Sequence, residues 1–119
     1  MNLREIADEL VAGCREGRTE ENLDKLYAAD AVSVEPADQG GGREAAGLDA
    51  IRAKHAWWAE AAEMHGAKVE GPYLHGDDRF AVSFWMDVTM KPSNDRSQMQ
   101  EVGVYHVAGG KIVREEFFY

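Results

Sequence analysis

The chain has one cysteine, three prolines and thirteen lysines and arginines against twenty-two acids in 119 residues. A lone Cys14 rules out an internal disulfide and sets the expectation of a reducing, cytoplasmic setting. A formal charge of −9 argues against nucleic acid or an anionic membrane surface as partner. Arg15 with Arg18 and Lys91 with Arg96 are the local basic candidates, and neighbouring acids dilute both. No apolar run approaches the roughly 20 residues of a membrane-crossing helix. The opening MNLREIADELVAGCREGR sets acids inside its apolar pattern, unlike a signal peptide. Gly40-Gly41-Gly42 has no Lys-Ser/Thr after it, so no phosphate loop is present. Ser33, Ser83, Ser93 and Ser97 lack a nucleophile-elbow context. No pair among His55, His65, His75 and His106 has metal-ligand spacing. No metal and no cofactor is implied.

The chain does have enough length and enough apolar residues, 45%, for a single domain, 1–119, with its own core. Leu3, Ile6, Leu10 and Cys14 recur at helical spacing, and Gly17 ends that first helix. Thr19 is a candidate N-cap for a short second helix whose buried side is Leu23, Leu26 and Tyr27. Ala31 to Glu35 reads as a strand stopped by Pro36, which lacks a backbone donor. Asp38 to Ala46 reads as a mobile loop at the rim of a pocket. A third helix is expected from about Leu48 to Met64, with Ile51, His55, Trp58 and Ala62 on its inward face and Gly66 closing it. Lys68 to Leu74, Phe80 to Met90, Gln98 to Val107 and Lys111 to Tyr119 follow as strands, the last two joined by Ala108-Gly109-Gly110. Helices first and a meander last is the α+β pattern.

Three stretches carry a resemblance: LYAADAVSVEP (Leu26 to Pro36), GLDAI (Gly47 to Ile51) and EVGVYHVAGGKIVREEFFY (Glu101 to Tyr119). Together they resemble the SnoaL-like, polyketide cyclase and ketosteroid-isomerase-like branch of the nuclear transport factor 2-like superfamily. The resemblance implies a cone of three N-terminal helices packed on a curved antiparallel sheet around a pocket. In ketosteroid-isomerase-like members an aspartate directly before the proline of the first strand is the general base. Glu35, directly before Pro36, matches that position. Those enzymes also use a first-helix tyrosine and a protonated aspartate on the penultimate strand. Here the first helix has no tyrosine, and the aspartate position falls at Gly103, so neither donor is retained.

The last hairpin admits two registers. A three-residue turn puts Met99, Glu101, Gly103, Tyr105 and Val107 on one face with Val113, Glu115, Phe117 and Tyr119; a two-residue Gly-Gly turn shifts the second set by one. The first register brings Glu35, His55 and Tyr119 together as catalytic candidates. Trp58, Glu101, Tyr105, Glu115 and Phe117 join them as ligand-binding candidates. Carboxyls beside aromatics in a cavity gain pKa by desolvation, which suits acid–base work near neutral pH. Each of these residues also has a plain packing or surface reading. Two functions stay open: cofactor-free isomerase, cyclase or lyase chemistry on a small hydrophobic, carbonyl-bearing molecule using Glu35, or a non-catalytic small-molecule-binding domain. Val102, Val104, His106, Ile112 and Phe118, with Val82 or Trp85, are expected on the outer sheet face, where so much apolar area calls for a homodimer.

Overall fold

A computed structural model describes residues 1–38 and 40–119; Gln39, in the loop expected from Asp38 to Ala46, lies outside the described residues. Helix α1 (Leu3–Glu16) starts at a capping box in which Asn2 and Glu5 each bond the other's backbone amide, at 2.9 Å. It ends at Gly17, whose positive φ of 73° suits a residue without Cβ. Helix α2 (Thr19–Leu26) begins differently from expectation: Arg18 is the N-cap, Thr19 is the first helical residue, and no side chain caps the helix. Arg18 instead reaches carboxylates, Glu9 on α1 and Glu16 at 2.6 Å.

Strand β1 (Tyr27–Val34) starts directly at the end of α2 and is longer than Ala31 to Glu35. The expected loop contains a further strand, β2 (Glu44–Ala46), antiparallel to the end of β1. Helix α3 (Leu48–Ala61) stops three residues early, because Ala62 to Met64 pair with Met90 to Val88 and so open β3 (Ala62–His75). Ala62 is therefore buried in a strand rather than on a helix face. Gly66 closes no helix; it sits in β3 against the Trp85 ring. Strands β4 (Arg79–Met90), β5 (Asp95–Ala108) and β6 (Lys111–Phe118) complete one six-stranded sheet in the order β2-β1-β6-β5-β4-β3.

The curved sheet expected to be antiparallel is mixed, since β1 runs parallel to β6. That pairing brings the N-terminal strand beside the C-terminal one, and the three helices pack across the sheet. The sheet does not close on itself. The core gathers Ile6, Leu10 and Val11 of α1, Leu23 and Leu26 of α2, and Ile51 of α3 over Phe80, Val82, Tyr105 and Ile112 of the sheet. Among the described residues no helix is long and apolar enough to cross a membrane.

The last hairpin combines features of both expected registers. Ala108 pairs with Lys111, so the turn is the two residues Gly109-Gly110, both at positive φ. A bulge at Val113 then inserts one residue between the pairs Val107–Ile112 and His106–Arg114. From there Tyr105 faces Glu115 and Gly103 faces Phe117, the alternation expected from the three-residue turn. Val113 leaves the inward set, and Ile112, expected outside, is fully buried. Val82, opposite Gly103, is also fully buried, so of the two alternatives Trp85 is the one on the outer face.

Candidate functional site

Helices α1, α2 and α3 and the inner sheet face surround a cavity of about 920 Å³. All eight candidates from the sequence (Glu35, His55, Trp58, Glu101, Tyr105, Glu115, Phe117 and Tyr119) line it. Glu35 leaves the end of β1 where Pro36 interrupts pairing. Its backbone is held on both sides by Arg43, whose carbonyl accepts from the Glu35 amide at 2.8 Å and whose Nε donates to the Glu35 carbonyl at 3.0 Å.

The side chain that meets Glu35 is Lys54, which the sequence reading passed over. Its Nζ lies 2.9 Å from Glu35 Oε1, donates to Ser33 Oγ at 2.6 Å, and stands 5.0 Å from the centroid of the Phe117 ring. Ion pair, hydroxyl and aromatic face together hold an ammonium group inside the cavity. A signal for it existed. Lys54 is three residues after Ile51 and four before Trp58, so it shares the inward stripe of α3. Glu35 Oε2 is buried with no hydrogen-bond partner among the described residues.

Glu101 and Glu115 sit on neighbouring strands and project from the same face. Burial pushes the Glu101 carboxyl up to about 7; the Glu35 and Glu115 charges add to this, and Lys54 offsets it in part. Glu115 is 2% exposed, and its Oε2 accepts the Tyr27 hydroxyl at 2.5 Å. Its Oε1 is buried and has no partner among the described residues. Burial, then the Glu115 charge, holds the Tyr27 and Tyr105 phenols well above their usual range. The same two causes hold the Cys14 thiol at about 11, so it is a thiol rather than a thiolate at neutral pH.

Aromatic rings set the shape of the floor. Tyr105 stacks on Phe80 with centroids 4.9 Å apart and meets Phe117 edge-on at 6.3 Å. Gly103 makes this packing possible: a Cβ there would lie 2.9 Å from Tyr105 Cε2 and 3.1 Å from both the Tyr105 hydroxyl and Phe117 Cε1. The space an aspartate would need at that position is filled by the Tyr105 ring. Tyr119 is half-exposed; burial and the Glu35 charge hold its phenol at about 12. His55 is only partly exposed, and its Nδ1 pairs with Glu20 Oε1 on α2 at 2.7 Å. Trp58 adds apolar wall from α3.

The sequence model of the family described as SnoaL-like domain matches residues 1–119. Among solved structures, a SnoaL-like protein from Mesorhizobium loti is 41% identical, covers 100% of both chains and has a TM-score of 0.91. A protein with a cystatin-like fold from Xanthomonas campestris shares 16% identity over 99% of this chain and 90% of its own, with a TM-score of 0.78. TerC, crystallised with polyporic acid, shares 20% identity over 97% of this chain and 88% of its own, at 0.73. At those lower identities the likeness is one of fold. Among curated proteins none matches this sequence.

Proposed function

The chain belongs to the SnoaL-like domain family, and on that premise we propose that its cavity takes a small hydrophobic, carbonyl-bearing molecule and moves protons on it without a cofactor. One observation carries this reading. Of the cavity's carboxyls, Glu35 is paired with an ammonium group, while Glu101 is pushed up to about 7. Two acids in contrasting surroundings are the arrangement that divides acid and base roles at neutral pH. Glu101, poised at the working pH, takes a proton from the carbon next to the carbonyl, the electron pair moves onto the carbonyl oxygen, and the proton returns at another atom. The positive charge of Lys54 and the hydroxyl of Tyr119 stand by the developing oxyanion. Glu35 positions Lys54 and serves as the second proton acceptor. His55, tied to Glu20, orients the entering ligand.

The test is capture followed by conversion. Small molecules retained from a cell extract are identified by native mass spectrometry and incubated with wild type, Glu101→Gln and Glu35→Gln. Conversion by wild type that drops about 10²–10⁴-fold in Glu101→Gln supports the reading. Equal inertness of all three leaves the second reading, a domain that binds its ligand without chemistry. That alternative has a specific observation behind it: α1 has no tyrosine, and Gly103 stands where a donor acid would be.

The partner proposed for the outer sheet face is a second copy of the chain. Tyr73, Val102 and Phe118 stand exposed there, at 56%, 37% and 55%, beside Trp85 and Val104. Apolar area of this kind is uncommon on a free surface.

A further inference from the structure

Resting on the reading of the cavity as a ligand site, we infer that its ligand is an organic cation: a hydrophobic molecule carrying a protonated amine, whose N–H groups meet Glu115 and Glu101. The first support is the count of charges. Among the described residues five glutamates line the cavity, and against them stand one lysine, one arginine and His55. The lysine is already engaged, by Glu35 at 2.9 Å and Ser33 at 2.6 Å. The arginine, Arg43, is exposed and bonded to backbone at the rim. Among the described residues Glu101 and Glu115 are therefore left without a bonded cation.

The second support is independent of charge. Glu115 is almost wholly buried, lines the cavity, and keeps one oxygen, Oε1, with no donor among the described residues. A buried carboxyl oxygen without a donor is costly, and a ligand N–H that reaches it supplies what is missing. The Tyr27 hydroxyl is already given to the other oxygen, so it cannot serve.

The third support is shape. Tyr105 and Phe117 meet at right angles beside Glu115, and aromatic faces next to carboxylates favour an alkylammonium over a bare ion. Among the described residues no group of three His, Cys, Asp or Glu is placed to hold a metal ion. The acids are too dispersed to chelate, yet they line one cavity, which suits a charge spread over a larger body. An anionic ligand meets repulsion from the same acids, and a neutral one leaves the net charge uncompensated.

The experiment compares probes of one size at pH 7.5 by titration calorimetry on the full chain: 2-phenylethylamine, 2-phenylethanol, phenylacetate and benzyltrimethylammonium. The expected order is amine first, tighter than the alcohol by about tenfold or more, as a charge-assisted hydrogen bond implies. Benzyltrimethylammonium, charged but without N–H, falls between them, and phenylacetate binds most weakly. Glu115→Gln and Glu101→Gln each reduce the amine-to-alcohol ratio, and circular dichroism checks their folding. Lys54→Met raises it by removing the competing cation. Equal affinity for amine and alcohol, a preference for phenylacetate, or no binding by any probe overturns the inference. The wild-type probe series decides this without any variant. It also stands apart from turnover: amine preference with no conversion of any captured molecule sinks the acid–base reading and leaves this one standing.

Discussion

A carboxyl held near pH 7 by burial costs stability once it ionises, and Glu101 makes this measurable. Its folded value of about 7 stands above the ordinary 4.5. Between those values the folded chain binds the extra proton, so its stability falls as pH rises through that window and the full penalty is present above it. Glu101→Gln mimics the neutral acid. We expect it to leave stability at pH 4.5 nearly unchanged and to raise it at pH 8 by about 1–3 kcal/mol, discounted for partial exposure. The Arg96 guanidinium at 3.0 Å lowers the pKa of Asp87, and such a group has the opposite slope, losing stability as pH falls. That slope is common to both proteins and cancels in their difference. Urea melts of the pair at the two pH values provide the check, and a flat difference means that Glu101 ionises as an ordinary surface acid. A second residue-scale prediction concerns Gly13, where a Cβ would lie 2.0 Å from Asn22 Nδ2. Asn22 is buried and donates to the Glu9 carbonyl at 3.1 Å, so it has little freedom to move away. Gly13→Ala is expected to cost about 1–3 kcal/mol despite the better helix propensity of alanine, and thermal melting reads it directly.

At the level of elements, sequence patterning was a good guide wherever local chemistry decides and a poor one wherever a distant strand does. Asn2 to Gly17, with its cap residues and its stripe of Ile6, Leu10 and Val11, forms the helix its spacing implies. Ala62 to Met64 continue a helical composition, yet pairing with Val88 to Met90 takes them into β3. The parallel match of β1 to β6 joins segments more than eighty residues apart, and no local signal encodes it. The Val113 bulge explains why Glu115 and Phe117 face inward despite a two-residue turn: the added residue reverses the shift that the turn imposes. Lys54 is hard to read for a different reason. Its spacing already sets it on the inward stripe of α3, yet a lysine on an amphipathic helix usually marks the wet side, and its partner Glu35 is met only in space. The loop after Pro36 gives a prediction at this scale. Asp38 Oδ1 accepts the Gly40 and Gly42 amides at 2.8 and 2.9 Å, and both bonds lower its pKa. Asp38→Ala should therefore speed hydrogen exchange at those two amides and along β2 while leaving global stability nearly unchanged. Unchanged exchange at Gly40 and Gly42 would mean that the turn holds without its aspartate.

For the whole molecule the decisive balance is between a long-range repulsion and a local apolar attraction. Each chain carries a formal charge of −9, so two copies approaching face to face repel. The outer sheet face carries charges of both signs among its apolar residues, with the row Arg79–His106–Arg114 and the pair Asp87–Arg96 at 3.0 Å. Its rows run Glu70–Ser83–Val102–Phe118 and Tyr73–Ala81–Val104–Glu116, with Trp85 next to the first row and Lys68 5.6 Å from its ring centroid. Burying such rows gives roughly 25 cal/mol per Å² of apolar surface, enough to outweigh a repulsion that salt screens over about 10 Å at 0.1 M. The proposed dimer should therefore tighten as sodium chloride rises from about 20 to 500 mM, the reverse of an interface held by opposite charges. Introducing charge into the centre, Val102→Asp with Phe118→Glu, should give a monomer at every salt concentration. Neither side chain is in the helical core, and the inner-face cavity lies on the other side of the sheet, so amine binding by the monomer should persist. Sedimentation equilibrium of both proteins across the salt series reads the association constant. A wild type that stays monomeric at 500 mM, or a double variant that still dimerises, assigns the apolar rows to some other cover.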